Sequence, residues 1–304
     1  MIIEIGIDKI NDITSTLDNF RERYGENSIP ENFFEQIKTS ISNDRISLFG
    51  AYDENQNLKG IGLFGIASGR ILLIFADGNL QYENQLVNAI CDRFLEEYSY
   101  IATGGSLIPW ISTPLSQHLI ETGFMQYDRV HMTLEKNDVE LLDEPLLPSG
   151  ISFQIYSSSK HNETSELIFR GTDGSVDQEV FPDFFGSLEN CSKVLQDIEN
   201  SRYGEYKEGL SWVLIFDNTI IGCCFMTLME GNVGYIPEIV IDPEYRGKGL
   251  GKAILVHSMK RQIESDSDIC KIDLYVTLRN DARYLYKSLG FKTVGEFSMY
   301  TLKR

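Results

Sequence analysis

Basic residues are scarce in this chain. Its 304 residues hold 27 Lys and Arg against 45 Asp and Glu, a formal net charge of −18. Such a surface repels phosphate backbones, which disfavours nucleic acid as a partner. It leaves a cationic or small neutral partner open, or acidity that serves solubility alone. Histidine is rarer still, with four residues and none in a metal-ligand spacing, so no metal site is expected. The five cysteines (Cys91, Cys191, Cys223, Cys224, Cys270) form an odd set without a C-x-x-C pair, which predicts a reducing compartment and no disulfide framework. Cys223 and Cys224 lie in the apolar run "IIGCCFMTLM" and are expected to pack as small hydrophobes. Long hydrophobic runs are absent: "WVLIF" is cut by Asp217 and Asn218. The start, "MIIEIGIDKI", lacks the basic region and apolar core of a signal peptide. No membrane contact and a cytoplasmic location are the expectation.

What is present is enough chain for two ordinary domains, 42% hydrophobic and 24% charged, without low-complexity segments. Apolar spacings of three and four predict helices within about 8–45. Strands follow at "RISLFGAYD", "GIGLFGIA" and "RILLIFADG". A helix at "NLQYENQLVNAICDRFLEEY", a short helix "STPLSQHLIETGF" and a strand "MQYDRVHMTL" complete the half. Residues 136–150, with acids, prolines and a glycine, read as a linker. The order then repeats: helices, the hairpin "SWVLIF–DN–TIIGCCFMTLM", the strand "VGYIPEIVI", a helix, a strand, a helix and a last strand. "ETGFMQYDRVHMTLEK" resembles "SLGFKTVGEFSMYTLKR", and Asp77 and Asp242, each ending a third strand, are 165 residues apart. Two copies of one mixed α/β module are therefore expected, over 1–135 and 151–304.

The stretch "IDPEYRGKGLGKAI" puts Gly247, Gly249 and Gly251 on alternate positions between a strand and a helix. A helix start has N–H groups without intrahelical partners and a partial positive charge, and bare glycines let anion oxygens approach them. Arg246, Lys248 and Lys252 add charge of the matching sign. A glycine-rich loop without any ligand is the competing reading. The P-loop pattern fails, because Gly251-Lys252 is followed by Ala253 and position 246 is not glycine. The dinucleotide fingerprint fails too, because Lys252 stands where its last glycine would be.

The run Arg246-Gly247-Lys248-Gly249-Leu250-Gly251 does resemble the R/Q-x-x-G-x-G/A loop of the GCN5-related N-acetyltransferases (GNAT), with "IVIDPEY" similar to that family's lead-in. "LYKSLGF" (285–291) resembles the family's L-Y-x-x-x-G-F. The resemblance covers roughly 150–304 and reaches the first half only through the repeat. It implies tandem domains, each a central, mostly antiparallel sheet flanked by helices. It further implies acetyl-CoA as co-substrate, held by its pyrophosphate on the loop of residues 246–252, with Ile239, Val240 and Ile241 offering backbone to the pantetheine arm. Tyr286 would donate to the leaving thiolate, or else be a packed helix aromatic. Glu238 would deprotonate the amine, or else face outward from its strand. Asn280 is similar to a CoA-contacting asparagine, although N-x-A replaces the family's N-x-x-A.

The implied reaction is acetyl or short acyl transfer from CoA to a primary amine by direct attack in a ternary complex. A non-enzymatic acyl-CoA sensor is the alternative, and a dinucleotide-binding protein a weaker one. The acceptor is expected to be a small-molecule amine. The acids Asp173, Asp177, Glu179 and Asp183 could recognise a cationic one, or could belong to a solvated loop. The oligomeric state stays open. In the first half, Gln81–Leu86 face the glycine loop across the repeat and hold no glycine, while Glu83 would repel phosphate and Leu119 replaces Tyr286. The N-terminal copy is expected to be degenerate and non-catalytic.

Overall fold

The computed structural model describes residues 1–105 and 111–304. Among them the strands of the first half are β1 (Ile2–Glu4), β2 (Ile46–Tyr52), β3 (Leu58–Gly65), β4 (Arg70–Phe75), β5 (Tyr100–Gly104) and β6 (Met125–Glu135). Those of the second are β7 (Ile151–Ile155), β8 (Glu205–Tyr206), β9 (Trp212–Phe216), β10 (Thr219–Met229), β11 (Val233–Ile241), β12 (Lys271–Thr277) and β13 (Lys292–Lys303). No described helix is long and apolar enough to cross a membrane.

The chain forms two compact units. Unit 1 is Met1–Tyr127 with Phe297–Arg304, and unit 2 is Asp128–Glu296. The sheet of unit 1 runs β1-β2-β3-β4-β5-β13, antiparallel except where Arg70 of β4 pairs parallel with Ala102 of β5. The sheet of unit 2 runs β7-β9-β10-β11-β12-β6, antiparallel except for the parallel pair β11–β12. Each sheet thus has four antiparallel strands, one parallel step and an antiparallel closing strand. The sequence repeat is a repeat of topology.

The units do not part where the sequence suggests. The closing strand of unit 1 is the end of the chain, Met299–Lys303 against Tyr100–Gly104. That of unit 2 comes from the first half, Arg129–Glu135 against Lys271–Thr277. The two strands carry the same alternation, so the hydrophobic pattern fits either edge and does not say which strand closes which sheet. The expected cut at 136–150 moves accordingly. Those residues are also no free linker. Lys136–Glu140 is helical with Val139 buried, and Glu144 accepts from His257 and from Arg261 (3.2 Å) of the helix Leu250–Ser265.

Local chemistry explains the elements that frame the site. Asp217 and Asn218 have φ of 48° and 61°, the paired left-handed residues of a two-residue hairpin turn between β9 and β10. β10 is buried on both faces: Cys223 packs with Tyr156, Leu167, Phe225 and Val240, and its neighbour Cys224 with Ile254, Met259 and Leu274. Both thiols are apolar filler, and burial pushes Cys224 up to about 12. Unit 1 has its own core, with Phe64 stacked on Phe94 at 4.1 Å and Tyr300 and Leu302 of β13 within it.

If β13 completes unit 1, Leu302→Ala costs about 2–4 kcal/mol. It strips amide-exchange protection from Tyr100–Gly104 while Lys271–Thr277 stays protected. Hydrogen exchange read by mass spectrometry checks this, and equal loss in both segments contradicts it.

Candidate active site

The site of unit 2 starts where two strands separate. β11 pairs with β12 only over Val233–Tyr235. Against β10, Thr227 faces Tyr235 and Phe225 faces Glu238, so β11 holds one residue more than its partner in that interval. An extra residue bends a strand away from its neighbour. Pro237, with no N–H to give a ladder, lies in that irregularity. Beyond Tyr235 the space between the strands becomes a cavity of about 180 Å³. It adjoins a cleft of about 650 Å³ that reaches the glycine loop. Asp177, Glu238, Ile239, Asn280, Ala282 and Tyr286 line both.

The far end of the cleft is the start of the helix Leu250–Ser265. Its first backbone bond is Ala253 N–H to the Gly249 carbonyl, 3.0 Å, so the N–H groups of Gly249–Lys252 precede the ladder. Gly247 and Gly249 have φ of 74° and 77°, where other L-residues are strained, and a Cβ at either would meet nothing within 4 Å. Gly251 has no such conformational need. A Cβ there would make ordinary contacts with Leu285 and Ile241, at 3.5 and 3.7 Å, yet the position lines the cleft bare. Lys252 also lines it.

The other basic side chains of the loop are tied into the fold, although Arg246 also lines the cleft. Arg246 donates from Nη2 to the Gly171 carbonyl (2.6 Å) and from Nε to the Ile241 carbonyl (3.1 Å), tying the helix His161–Thr172 to the end of β11. Gly171 permits this approach, since a Cβ there would sit 2.2 Å from Val240. Lys248 turns back to the Glu244 carbonyl (3.2 Å) over the Tyr245 ring and does not line the cleft. Arg170 pairs with Asp242 at 3.1 Å, fixing the turn before the glycines. The side chain of Val240 packs in the core, although its backbone borders the cleft.

At the junction of cleft and cavity, Glu238 is half-buried. Burial pushes its carboxyl up to about 8, the Asp177 carboxylate adds to the rise, and the Ile239 N–H opposes it. Tyr286 is buried on the short helix Ala282–Ser288, edge-on to Phe291 at 5.9 Å. Burial first and the Asp177 carboxylate second hold its phenol far above the usual tyrosine range, so it remains a donor. Asn280 has internal duties: its Nδ2 donates to Asp177 (2.6 Å) and its Oδ1 accepts the Ala282 N–H (2.8 Å). Asp177 also accepts from Thr277 (3.2 Å) and lies 3.8 Å from Arg129. Arg129, on β6, is buried in the cavity wall but lies in the wrong half of the sequence to be noticed. Among the described residues, no group of three or more His, Cys, Asp or Glu is placed to hold a metal ion.

Unit 1 shows the contrasting arrangement at the start of its helix Leu80–Phe94. Glu83 is buried there. Burial raises its carboxyl, against the N–H groups of Ala76 and Gly78 that donate to it and against the Arg23 charge. Arg23 lies 3.7 Å from Asp77, and its guanidinium would touch a Cβ on Gly78 at 2.5 Å. The chain's own carboxylate occupies this helix start. Leu119, opposite Tyr286 in the repeat, is core.

The two kinds of glycine separate in stability. Gly249→Ala costs about 1–2 kcal/mol from its left-handed backbone alone, whereas Gly251→Ala is neutral or gains up to about 1 kcal/mol. Urea unfolding of the two variants measures the difference, and equal destabilisation contradicts it.

Residues 207–293 match the family model for an acetyltransferase (GNAT) domain. No curated protein matches the sequence. Among solved structures, a GCN5-related N-acetyltransferase from Sphaerobacter thermophilus superposes with a TM-score of 0.59 at 14% identity, over 100% of this chain and 95% of that one. A tandem GNAT protein from the clavulanic acid biosynthesis pathway gives 0.57 at 12%, over 100% and 98%. The glucosamine N-acetyltransferase region of a fungal multi-domain β-N-acetylglucosaminidase gives 0.60 at 14%, over 99% and 38%. At these identities the likeness is one of fold. The chain carries a GNAT domain within residues 207–293, and the fold of the GCN5-related N-acetyltransferases extends over its length.

Proposed function

We propose that unit 2 transfers an acetyl or short acyl group from acyl-CoA to a primary amine by direct attack in a ternary complex. The observation that carries this reading is the meeting of cleft and cavity at Glu238 and Tyr286, with a bare helix start at the cleft's other end. An elongated molecule with an anionic end and a reactive end fits that layout. The residues suit CoA: the N–H groups of Gly249–Lys252 and the Lys252 charge would hold the pyrophosphate, and Gly251 gives up helix stability where a phosphate must come close. Arg246 would act through the loop it braces rather than by touching phosphate. Asn280 would likewise act through Asp177 and the helix it starts.

CoA supplies the activated thioester. The chain's residues do the rest. Beyond Tyr235 β11 still pairs with β10 but no longer with β12, and its open edge over Ile239–Ile241 would align the pantetheine arm and polarise the carbonyl, although the Ile241 carbonyl already accepts from Arg246. Glu238 takes the proton of the attacking amine, and Tyr286 delivers a proton to the departing sulfur. A carboxyl near 8 is poised for the first task, and a phenol held protonated by burial suits the second.

Unit 1 on this reading is a non-catalytic copy. Its helix start is filled by Glu83 and its donor position by Leu119.

The sign of the pH dependence follows from Glu238. Its carboxyl is protonated below about 8 and cannot accept, so kcat/KM with acetyl-CoA rises as pH passes through about 8 and levels above it. Glu238→Gln removes that limb and lowers the rate roughly 10²–10⁴-fold, while Tyr286→Phe lowers kcat more than it raises KM. Thiol release, followed against pH with saturating amine, tests both. A flat profile in the parent protein, or full activity in both variants, rejects these roles.

A further inference from the structure

We infer that the acceptor of unit 2 is an amine carried on a short arm from a single flat aromatic ring, rather than a polyamine or an amino sugar. The inference rests on the acyl-transfer reading and deepens it. Phe181, Phe184, Phe185, Tyr203, Tyr235 and Tyr275 all line the cavity. Three of these rings sit together: Phe181 stacks on Phe184 at 5.4 Å, and Phe185 meets both edge-on at 6.4 and 6.2 Å. A further ring adds to such a set in the same offset or edge-to-face geometries, each worth about 0.5–1.5 kcal/mol beyond the area it buries.

Volume points the same way. At about 180 Å³ the cavity is slightly larger than the roughly 150 Å³ that accepts one benzene in an apolar protein interior. A ring with a one- or two-carbon arm fills it, and the arm leads out to Glu238, where the cavity joins the cleft.

Charge excludes the alternatives. Of the four acids in the 170–187 segment, Asp177 alone lines the cavity. It faces Arg129 at 3.8 Å and accepts from Thr277 and Asn280, so its carboxylate is already engaged by the chain. Arg129 itself lies over the Phe181 face at 4.6 Å. Glu179 is turned to Arg279 at 3.8 Å, and Asp173 is exposed at the end of its helix. Burial keeps Tyr203 and Tyr235 neutral. Asp183 lies outside the lining and acts on Tyr203 only as a nearby charge, so Glu238 is the one carboxyl of the wall left for the acceptor's amine. A second or third cationic centre in the same molecule would enter an aromatic cavity with no counter-charge, at the desolvation cost of an unpaired ion.

The test is a competition among acceptors with the full-length protein. Acetyl-CoA binding is first measured by calorimetry, and thiol release is then followed with 2-phenylethylamine, tyramine, n-butylamine, spermidine and glucosamine. The aromatic amines are expected to have kcat/KM roughly tenfold or more above every other acceptor. Phe184→Ala is expected to raise KM for 2-phenylethylamine at least several-fold with kcat nearly kept, and Phe184→Leu to recover part of that loss. A preference for spermidine, glucosamine or n-butylamine overturns the inference, as does bound acetyl-CoA with no release to either aromatic amine. Failure to bind acetyl-CoA overturns the acyl-transfer reading beneath it, so the two failures are told apart.

Discussion

The site of unit 2 depends on one broken partnership between strands. β11 and β12 pair parallel for three residues and then separate at Tyr235, because the extra residue beside Pro237 bends β11 away. Two unpaired strand edges inside a sheet are costly unless something takes up their backbone groups. Here the gap becomes the cavity and the inner end of the cleft. Glu238, the first residue past the irregularity to regain pairing with β10, is thereby set on the junction with Tyr286 opposite. Its raised carboxyl follows from the same geometry, since a chain end or open surface would leave it solvated.

The second constraint is the start of the helix that follows. Gly247 and Gly249 turn the backbone through left-handed conformations, Arg246 and Arg170 fix that turn from behind, and Gly251 keeps the first helical turn bare. Unit 1 has the same topology and lacks this device. Its helix begins with Asn79 accepting from Tyr82 and with Glu83 bonded to the Ala76 and Gly78 amides, whereas in unit 2 the N–H groups of Gly249–Lys252 precede the ladder along the cleft. The exchange of closing strands ties the two halves of the sequence together while each sheet remains complete.

Much of this was legible in the residues. β11 is the predicted strand "VGYIPEIVI", the Asp217–Asn218 hairpin forms as its dipeptide suggests, and the glycine loop sits between strand and helix as its spacing requires. These features are local, and local pattern reports them. What escaped is non-local. Nothing near Arg129 in sequence says that it will stand by Asp177, and the two closing strands are too alike for pattern to assign them to a sheet. Arg246 and Lys248 read as phosphate ligands by charge alone, whereas carbonyls of Gly171, Ile241 and Glu244 take their side chains. Whether Glu238 faces a cavity or solvent depended on a one-residue irregularity invisible in the alternation.

Two units with one topology and one open helix start make a claim about number. Isothermal titration of the full-length protein with acetyl-CoA measures it directly. A stoichiometry of one per chain, lost when Gly249→Glu places a carboxylate at the loop of unit 2, is the result expected. Two sites per chain, or binding that survives this substitution, would contradict the account.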